Sequence, residues 1–211
     1  MRNVKIISII FICVSLLCSF ATGCTSISED DSAIPIFDFH GSYSFYYSID
    51  ELLDQADVVA EVRVNEHQKT EMIASLPFTT SAVEIQEVYK GDLSKNEVIL
   101  VNELGGLYRP HLFGDPSQPQ QEEFVEMRVE GVSVMQPGDI QIIFAKLDDE
   151  LDDGSYTIFA LWQGKFKIQG DQADRGVAKH EEVNENFVFE SAIQLKDKIK
   201  MAKVTKEREN D

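Results

Sequence analysis

Cysteine is scarce in this chain, and the few cysteines lie close to the amino terminus. The 211 residues include three of them, Cys13, Cys18 and Cys24. Everything after Cys24 therefore lacks a thiol with which to form an internal disulfide. We expect the rest of the chain to fold on a hydrophobic core alone, which a domain of ordinary size can do.

The short motifs that mark common catalytic and cofactor-binding sites are also missing. The sequence has no G-x-G-x-x-G, Walker loop, H-E-x-x-H or G-x-S-x-G. The four histidines do not share a metal-ligand spacing with one another: His40, His67, His111 and His180. The sequence thus predicts no cofactor, no metal site and no catalytic residue of a known type. A hydrolase of unrecognised type that uses paired carboxylates stays open as an alternative.

Basic residues are few relative to acidic ones. The chain has 19 Lys and Arg against 37 Asp and Glu, which gives a formal net charge of -18. Such a surface repels the phosphates of nucleic acids, so we expect no nucleic-acid partner. The excess of acid serves solubility in the simplest interpretation, and the alternative is attraction of cations or of a basic partner.

Long apolar runs are limited to one stretch near the start. Residues Ile6 to Phe20 form an apolar segment of 15 residues behind Arg2 and Lys5. A membrane-spanning helix needs roughly 18 or more such residues. A positive head, a short apolar run and small residues after it are typical of an export signal that is removed.

The residues Ala21-Thr22-Gly23-Cys24 resemble the lipobox of bacterial lipoproteins. The resemblance implies that the signal, residues 1–23, is cleaved and that the sulfur of Cys24 receives a diacylglycerol. The protein would then be lipid-anchored through Cys24 at the extracytoplasmic face of the cell membrane. The alternative is an ordinary secretory signal with Cys24 as a bystander.

The remaining chain divides into a tether, one domain and a tail. Residues 24–33 are polar and acidic without periodicity, which predicts a flexible tether after the acylated cysteine. We expect a single β-barrel domain over residues 34–205 and a short tail over residues 206–211. The domain begins with an aromatic-rich segment, which either packs against a core or forms a stacking face for a ligand.

Two helices are predicted at the two ends of the domain. Ser48 and Glu51 have the spacing of a capping box, which predicts a short helix from Ile49 to Ala56. Near the carboxyl terminus, apolar residues recur at spacings of three and four: Ala192, Leu195, Ile199 and Ala202. Lysines interleave with them, so we expect this helix to dock on the acidic body or, alternatively, to contact anions of a membrane or wall.

Between the helices, alternation of apolar and polar residues predicts strands joined mostly by hairpins. We expect strand 58–65 to have one solvent-exposed face and to be followed by a loose segment. A β-bulge is expected near Gln86 and Glu87, and strand 97–104 should be buried on both faces. The last short strand, 165–168, should have a basic outer face. The predicted barrel interior comprises Val83, Ile85, Leu100, Ile142 and Phe144.

The order of these pieces, with the segments ADVVAEVRV, VYKGDL, PGDIQIIF and QGKF, resembles a broad group of secreted and lipid-anchored proteins of Gram-positive bacteria. Their barrel is similar to the OB-type module of the tissue-inhibitor and netrin domains. The resemblance covers roughly Ser48 to Ile168. It implies a mainly β fold, an OB-like barrel of five to six strands with a short helix before the first strand and a helix at the carboxyl terminus.

The long segment 107–134 interrupts this series and contains three of the six prolines, at positions 110, 116 and 119. Loops of this length are usually binding loops or disordered. Its apolar and basic start makes Tyr108, Arg109, His111 and Phe113 the candidate ligand-binding residues. We therefore expect a non-catalytic binding or adaptor module whose partner is a cell-envelope protein or a glycan.

Overall fold

The structure is a computed structural model, and it describes residues 34–110, 124–148, 153–174 and 191–209. The predicted signal and tether, Cys24 included, lie outside the described residues. Ten strands and two α-helices are found in the described ranges. They are β1 Ile36–Phe39, α1 Ile49–Gln55, β2 Val58–Ile73, β3 Leu76–Lys90, β4 Val98–Leu104, β5 Gly106–Tyr108, β6 Val125–Val129, β7 Ile140–Leu147, β8 Tyr156–Ile158, β9 Lys165–Gln169, β10 Gln172–Asp174 and α2 Ala192–Glu209.

Five of these strands close into a barrel in the order β7, β2, β3, β4 and β8, with β8 pairing back onto β7. The β4–β8 pair is parallel and the other pairs are antiparallel, so the barrel is mixed. Strands β9 and β10 continue the sheet outward from β7. The predicted fold class is confirmed: the protein is mainly β, with a closed five-stranded barrel, a short helix before its first strand and a carboxyl-terminal helix.

The barrel interior is filled by small and branched apolar side chains. They are Val58, Ala60, Val62, Val64, Val83, Ile85, Ile99, Val101, Met135, Ile143, Ala145 and Ile158. The alternation predicted for β2 and β3 is thus confirmed, because the residues between these positions face outward. Val83 and Ile85 occupy the barrel interior, as expected from the sequence.

A second core lies outside the barrel, between β7 and the two helices. Ile142 and Phe144 are fully buried there, together with Trp162, Leu195 and Ile199. The prediction that Ile142 and Phe144 lie inside the barrel is therefore wrong, although both are core residues. Because β7 is covered on both faces, its sequence is apolar at successive positions and does not reveal which face is the inner one.

Strand β4 has only one fully covered side along its first half. Ile99 and Val101 are buried, whereas Val98 and Leu100 are 55% and 37% exposed. The predictions that both faces of this strand are buried and that Leu100 lies in the barrel interior are wrong. The physical reason is that the helices pack against each other, β7 and β10, so the outer side of β4 at Leu100 faces solvent.

The segment after residue 65, expected to be loose, is a hairpin arm. Strands β2 and β3 stay paired up to Ile73 and Leu76, and the two turn residues, Ala74 and Ser75, both have positive φ. The predicted bulge is confirmed, because Glu61 pairs with Glu87 and Val62 with Ile85, which leaves Gln86 as the extra residue.

Both predicted helices form, with the predicted cap on α1 and the predicted buried residues on α2. Ser48 caps α1 by accepting a hydrogen bond from the Glu51 backbone. On α2, Ala192, Leu195, Ile199 and Ala202 are the buried residues. Two lysines of α2 dock it on the acidic body, since Lys196 pairs with Glu61 and Lys200 with Glu87. Neither described helix is long and apolar enough to span a membrane.

Candidate binding site

A separate three-stranded sheet, the small sheet, stands beside the barrel in the order β1, β6 and β5. Strand β1 runs parallel to β6, and β5 runs antiparallel to it. The sheet brings the start of the domain together with both ends of segment 107–134. Its middle strand, β6, lies near the end of that segment.

Two consecutive glycines turn the chain from the barrel into this sheet. Gly105 and Gly106 have φ of 113° and 111°, values that residues with a Cβ rarely adopt. A Cβ on Gly106 would also collide with the hydroxyl of Thr79 on β3. The close approach of β5 to the barrel therefore depends on glycine at this position.

The small sheet packs one face inward and leaves the other face exposed. Met127 and Val129 are buried against the barrel side. Alternation places every second residue of each strand on the opposite side, in rows such as Ile36, Glu126 and Leu107. We call this surface the outer face; it comprises Ile36, Asp38, Leu107, Arg109, Phe124, Glu126 and Arg128.

The outer face is rich in exposed apolar groups for so acidic a protein. Ile36, Leu107 and Phe124 on it are exposed, and so is the adjacent Ile34. The guanidinium carbon of Arg109 lies 4.4 Å from the centre of the Phe124 ring, a cation–π contact. Aromatic residues and arginine are enriched in protein interfaces, whereas most other charged residues are depleted there.

An ion pair divides the apolar parts of the outer face. Arg128 donates to Glu126 at 2.8 Å, and the Ser133 hydroxyl donates to the same carboxylate at 2.7 Å. The Arg128 guanidinium holds the pKa of Glu126 below its usual value. Both groups are partly buried, so they form a fixed polar centre with apolar residues on either side.

A groove with a volume of roughly 400 Å³ runs between the outer face and β2. Its walls combine apolar and polar side chains, among them Ile34, His67, Leu107, Arg128, Ser133 and Gln136. This volume lies in the range of small-ligand sites, about 300 to 1,000 Å³. The groove can hold a side chain or short segment of a partner.

Residues 133–136, the closing segment, form one wall of the groove and also close the end of the barrel. Met135 is buried in the barrel interior. Its backbone N–H donates to Glu103 at 2.9 Å, and its carbonyl accepts from His67 at 2.7 Å. Hydrogen bonds on both sides therefore fix the closing segment.

A buried ion pair supports the closing segment from within the barrel. Lys165 contacts Glu103 at 2.6 Å and donates to the Ser133 carbonyl at the same distance. The two side chains are only 8% and 4% exposed. The prediction of a basic outer face for β9 is wrong at Lys165, whose side chain points into the end of the barrel. Alternation in the sequence separates the two faces of a strand but does not show which face is exposed to solvent.

The predicted binding residues are only partly brought together. Arg109 lies on the outer face, whereas Tyr108 pairs with Val125 and belongs to the opposite face. His111 and Phe113 lie outside the described residues. Sequence reasoning missed Ile34, Ile36 and the Glu126–Arg128 pair. The alternation in 125–129 was the one signal that could have indicated the pair.

Most of the aromatic segment belongs to the second core, beginning with the last residue of β1. Phe39, Tyr43, Phe45 and Tyr46 pack against it as partly buried residues. Burial raises the pKa of Tyr43 to about 12, and its hydroxyl accepts a hydrogen bond from Trp162. Of the two roles considered for this segment, core packing fits these four residues.

Two pairs of carboxylates in the described ranges share a contact with the same protein side chain. His40 lies between Glu130, at 2.8 Å, and Asp38, at 3.5 Å. Glu61 and Glu87 both accept from the Tyr89 hydroxyl and are paired with lysines of α2. In the described part of the chain, no group of three or more potential ligands could hold a metal ion.

No protein-family model matches this chain, and no curated protein matches its sequence. Its function has to be inferred from its own residues.

Proposed function

We propose that the protein is a membrane-anchored, extracytoplasmic lipoprotein that acts as a non-catalytic binding or adaptor module. The proposed binding site is the outer face of the small sheet together with the adjacent groove. The main support is the outer face itself, where exposed apolar residues and an arginine stacked on phenylalanine surround a fixed ion pair. Such a surface suits a protein partner better than a glycan, because the arginine already covers the phenylalanine ring.

The position of the groove fits an anchor at Cys24. Ile34, which lines the groove, follows Cys24 by ten residues. A fully extended chain spans at most about 3.6 Å per residue. An acyl chain on Cys24 would hold the groove within roughly 36 Å of the lipid, so a partner in or near the membrane could reach it.

The hydrolase alternative has less support from the geometry. A paired-carboxylate hydrolase needs two carboxyl groups that face each other across a cleft. Asp38 and Glu130 both contact His40, and Glu61 and Glu87 both contact lysines of α2. Neither pair lines the groove. The binding module is therefore the function we propose.

The anchor is tested by replacing Cys24 with serine. We expect Cys24→Ser to move the protein from the detergent phase to the aqueous phase on Triton X-114 partition, or to leave it unprocessed. Mass spectrometry of the wild-type amino-terminal peptide should find a diacylglycerol on the sulfur of Cys24. A cleaved Cys24→Ser protein that stays in the detergent phase would place the anchor elsewhere.

The binding site is tested with charge substitutions on the outer face. We expect Leu107→Glu and Arg109→Glu each to reduce partner capture by cross-linking in intact cells, because both residues are exposed on the proposed interface. Leu100→Glu is the matched control, since Leu100 is also an exposed leucine on a strand but lies on β4. Equal capture by all three variants would remove the outer face from the interface.

A further inference from the structure

Strand β1 forms one edge of the small sheet, and its backbone is paired on one side only within the described residues. The carbonyls of Pro35 and Phe39 accept from Glu126 and Glu130, at 2.9 and 3.1 Å. Because backbone groups alternate in direction along a strand, Pro35, Phe37 and Phe39 face β6. The N–H and C=O groups of Ile36 and Asp38 therefore point away from the sheet.

The side chains of this edge are apolar and exposed on both faces of the sheet. Ile36, on the outer face, is 55% exposed, and Phe37, on the opposite face, is 49% exposed. Natural proteins usually protect an exposed edge with charged side chains or bulges, because unpaired backbone groups beside apolar side chains attract another strand. Here the charged residue of the strand is Asp38, which accepts from the Gly131 backbone at 2.6 Å.

Contacts at the end of β1 hold the edge in place. His40 donates to Glu130 at 2.8 Å, and Glu130 is 8% exposed. The Asp38–Gly131 hydrogen bond joins the same two segments. A strand fixed in this way is preorganised, so an added strand does not have to order it on binding.

We propose that the free edge of β1 accepts an extended segment of a partner protein as a fourth strand of the small sheet. The bound segment would place apolar side chains opposite Ile36 and Phe37 and a basic side chain opposite Asp38. Backbone hydrogen bonds from Ile36 and Asp38 would supply the pairing.

Charge selects a basic partner rather than a second copy of this chain. Each copy has a net charge of -18, so two copies repel each other. Asp38 already lies opposite Arg128 of β6 on its inner side. In antiparallel self-pairing centred on Phe37, the other copy would place an isoleucine opposite each Asp38, so self-pairing would add no favourable charge contact along the edge. An extended segment with lysine or arginine is favoured on both counts.

The inference rests on the proposed function in one respect, the placement of binding at the small sheet, and a peptide probe tests it separately. The probe is a fluorescent nine-residue peptide with Lys-Val-Ile at its centre and threonines around it. A second peptide has the same sequence with N-methyl groups on alternate residues, which keeps the charge and removes strand hydrogen bonds. Fluorescence anisotropy measures both affinities for the full chain.

We expect the unmodified peptide to bind at least about tenfold more tightly than the N-methylated one. Ile36→Pro removes the outward N–H of Ile36 without removing a bond to β6, and we expect it to weaken binding by about tenfold. Ile36→Lys, which protects the edge with charge, should have a similar effect. Leu100→Lys is the control for added positive charge, and unchanged thermal midpoints verify folding.

Hydrogen exchange gives a readout that does not depend on substitutions. The amides of Ile36 and Asp38 should exchange rapidly in the free protein and become protected when the peptide binds. The Phe37 amide faces β6 and should be protected in both states.

Several outcomes would overturn the inference. The first is that the peptide does not bind at about 1 mM, and the second is that the N-methylated peptide binds equally well. The third is that Ile36→Pro binds the peptide as tightly as the wild type. The fourth is a dimer in sedimentation equilibrium that Ile36→Lys dissociates. In the cellular capture experiment, loss in Leu107→Glu with retention in Ile36→Pro would reject the added strand and keep the outer face as the site. Retention in both variants would reject both.

Discussion

At the scale of single residues, the Lys165–Glu103 pair joins the stability of the barrel to the shape of the groove. Both side chains are almost completely buried, and they hold the Ser133 carbonyl and the Met135 amide of the closing segment. A buried charge that loses its partner costs about 3 to 5 kcal/mol. The closing segment is therefore stabilised by an ion pair in which replacing one of the two residues alone is costly.

Lys165→Met should lower the free energy of unfolding by about 3 to 5 kcal/mol, because it leaves the Glu103 carboxylate buried without its cation. The double variant Glu103→Gln with Lys165→Met should recover most of that loss, since no charge stays buried and the glutamine oxygen can still accept from Met135. Urea unfolding of the two variants and the wild type measures both values. A double variant no more stable than Lys165→Met would show that the pair itself holds the segment.

At the scale of secondary-structure elements, the arm formed by β2 and β3 ends in a turn that does not use favourable residues. Ala74 and Ser75 have φ of 49° and 68°. Two-residue hairpin turns of this kind favour asparagine followed by glycine, because L residues with a Cβ are strained at positive φ. The arm is thus held by its strand pairing rather than by its turn.

Replacing Ala74-Ser75 with Asn-Gly should raise the free energy of unfolding by about 1 kcal/mol, because the strain at positive φ is relieved. Urea unfolding with an unchanged m-value is the measurement. Gly106→Ala, also at a position of positive φ, should lower the free energy of unfolding. Lower stability of the Asn-Gly variant would mean that the turn has another geometry.

The docking of α2 on the barrel should depend on pH through Glu87. A hydrogen bond from Lys200 holds the pKa of Glu87 below its ordinary value of 4.5. A carboxylate with a lowered pKa adds stability that is fully present above the ordinary value and is lost as pH falls through the lower value. Both groups are about half exposed, so solvent keeps the effect small.

We expect wild-type protein to lose more thermal stability than Glu87→Gln when the pH is lowered from 7 to 3, because only the wild type has this carboxylate to protonate. The difference should shrink in high salt. Thermal midpoints across the pH series provide the measurement, with Glu71→Gln on the hairpin arm as the control. Parallel pH profiles for wild type and Glu87→Gln would exclude this contribution.

The elements also show where sequence reasoning succeeds and fails. Strong periodicity and caps indicated α1, α2, β2 and the bulge at Gln86, because each reflects a local rule. The arm was missed since Ala74-Ser75 is not a turn signal. The sides on which Leu100, Ile142 and Lys165 lie depend on which faces the helices and the closing segment cover, and that is a property of the whole fold.

The candidate site was predicted less completely than the barrel, for a related reason. Arg109 was a candidate because it lies in the apolar and basic start of a long segment, and the structure places it on the outer face. The site also needs Ile34 and Ile36, which are about 70 residues or more away in sequence from Leu107 and join it through pairing with β6. Parallel pairing of short strands from distant segments leaves no local pattern that a single sequence reveals.

At the scale of the whole molecule, a proposed lipid anchor is combined with an acidic barrel and with the exposed apolar residues of the outer face. The net charge of -18 over the whole chain repels anionic lipid, so the proposed anchor at Cys24 would be what holds the domain at the membrane. An anchored domain is confined near its partners, which raises their effective concentration. Weak contacts at the small sheet could then be sufficient for binding in the cell.

We propose that the small sheet is the surface through which the anchored protein binds a partner. The most direct test places a photo-cross-linking amino acid at one position at a time, in full-length protein in intact cells, and identifies the products by mass spectrometry. We expect positions 36 and 107 to cross-link the same protein, and position 100, on the exposed side of β4, to cross-link none of it. Cross-links to one common protein from position 100 but not from positions 36 and 107 would show that the partner binds elsewhere than at the small sheet.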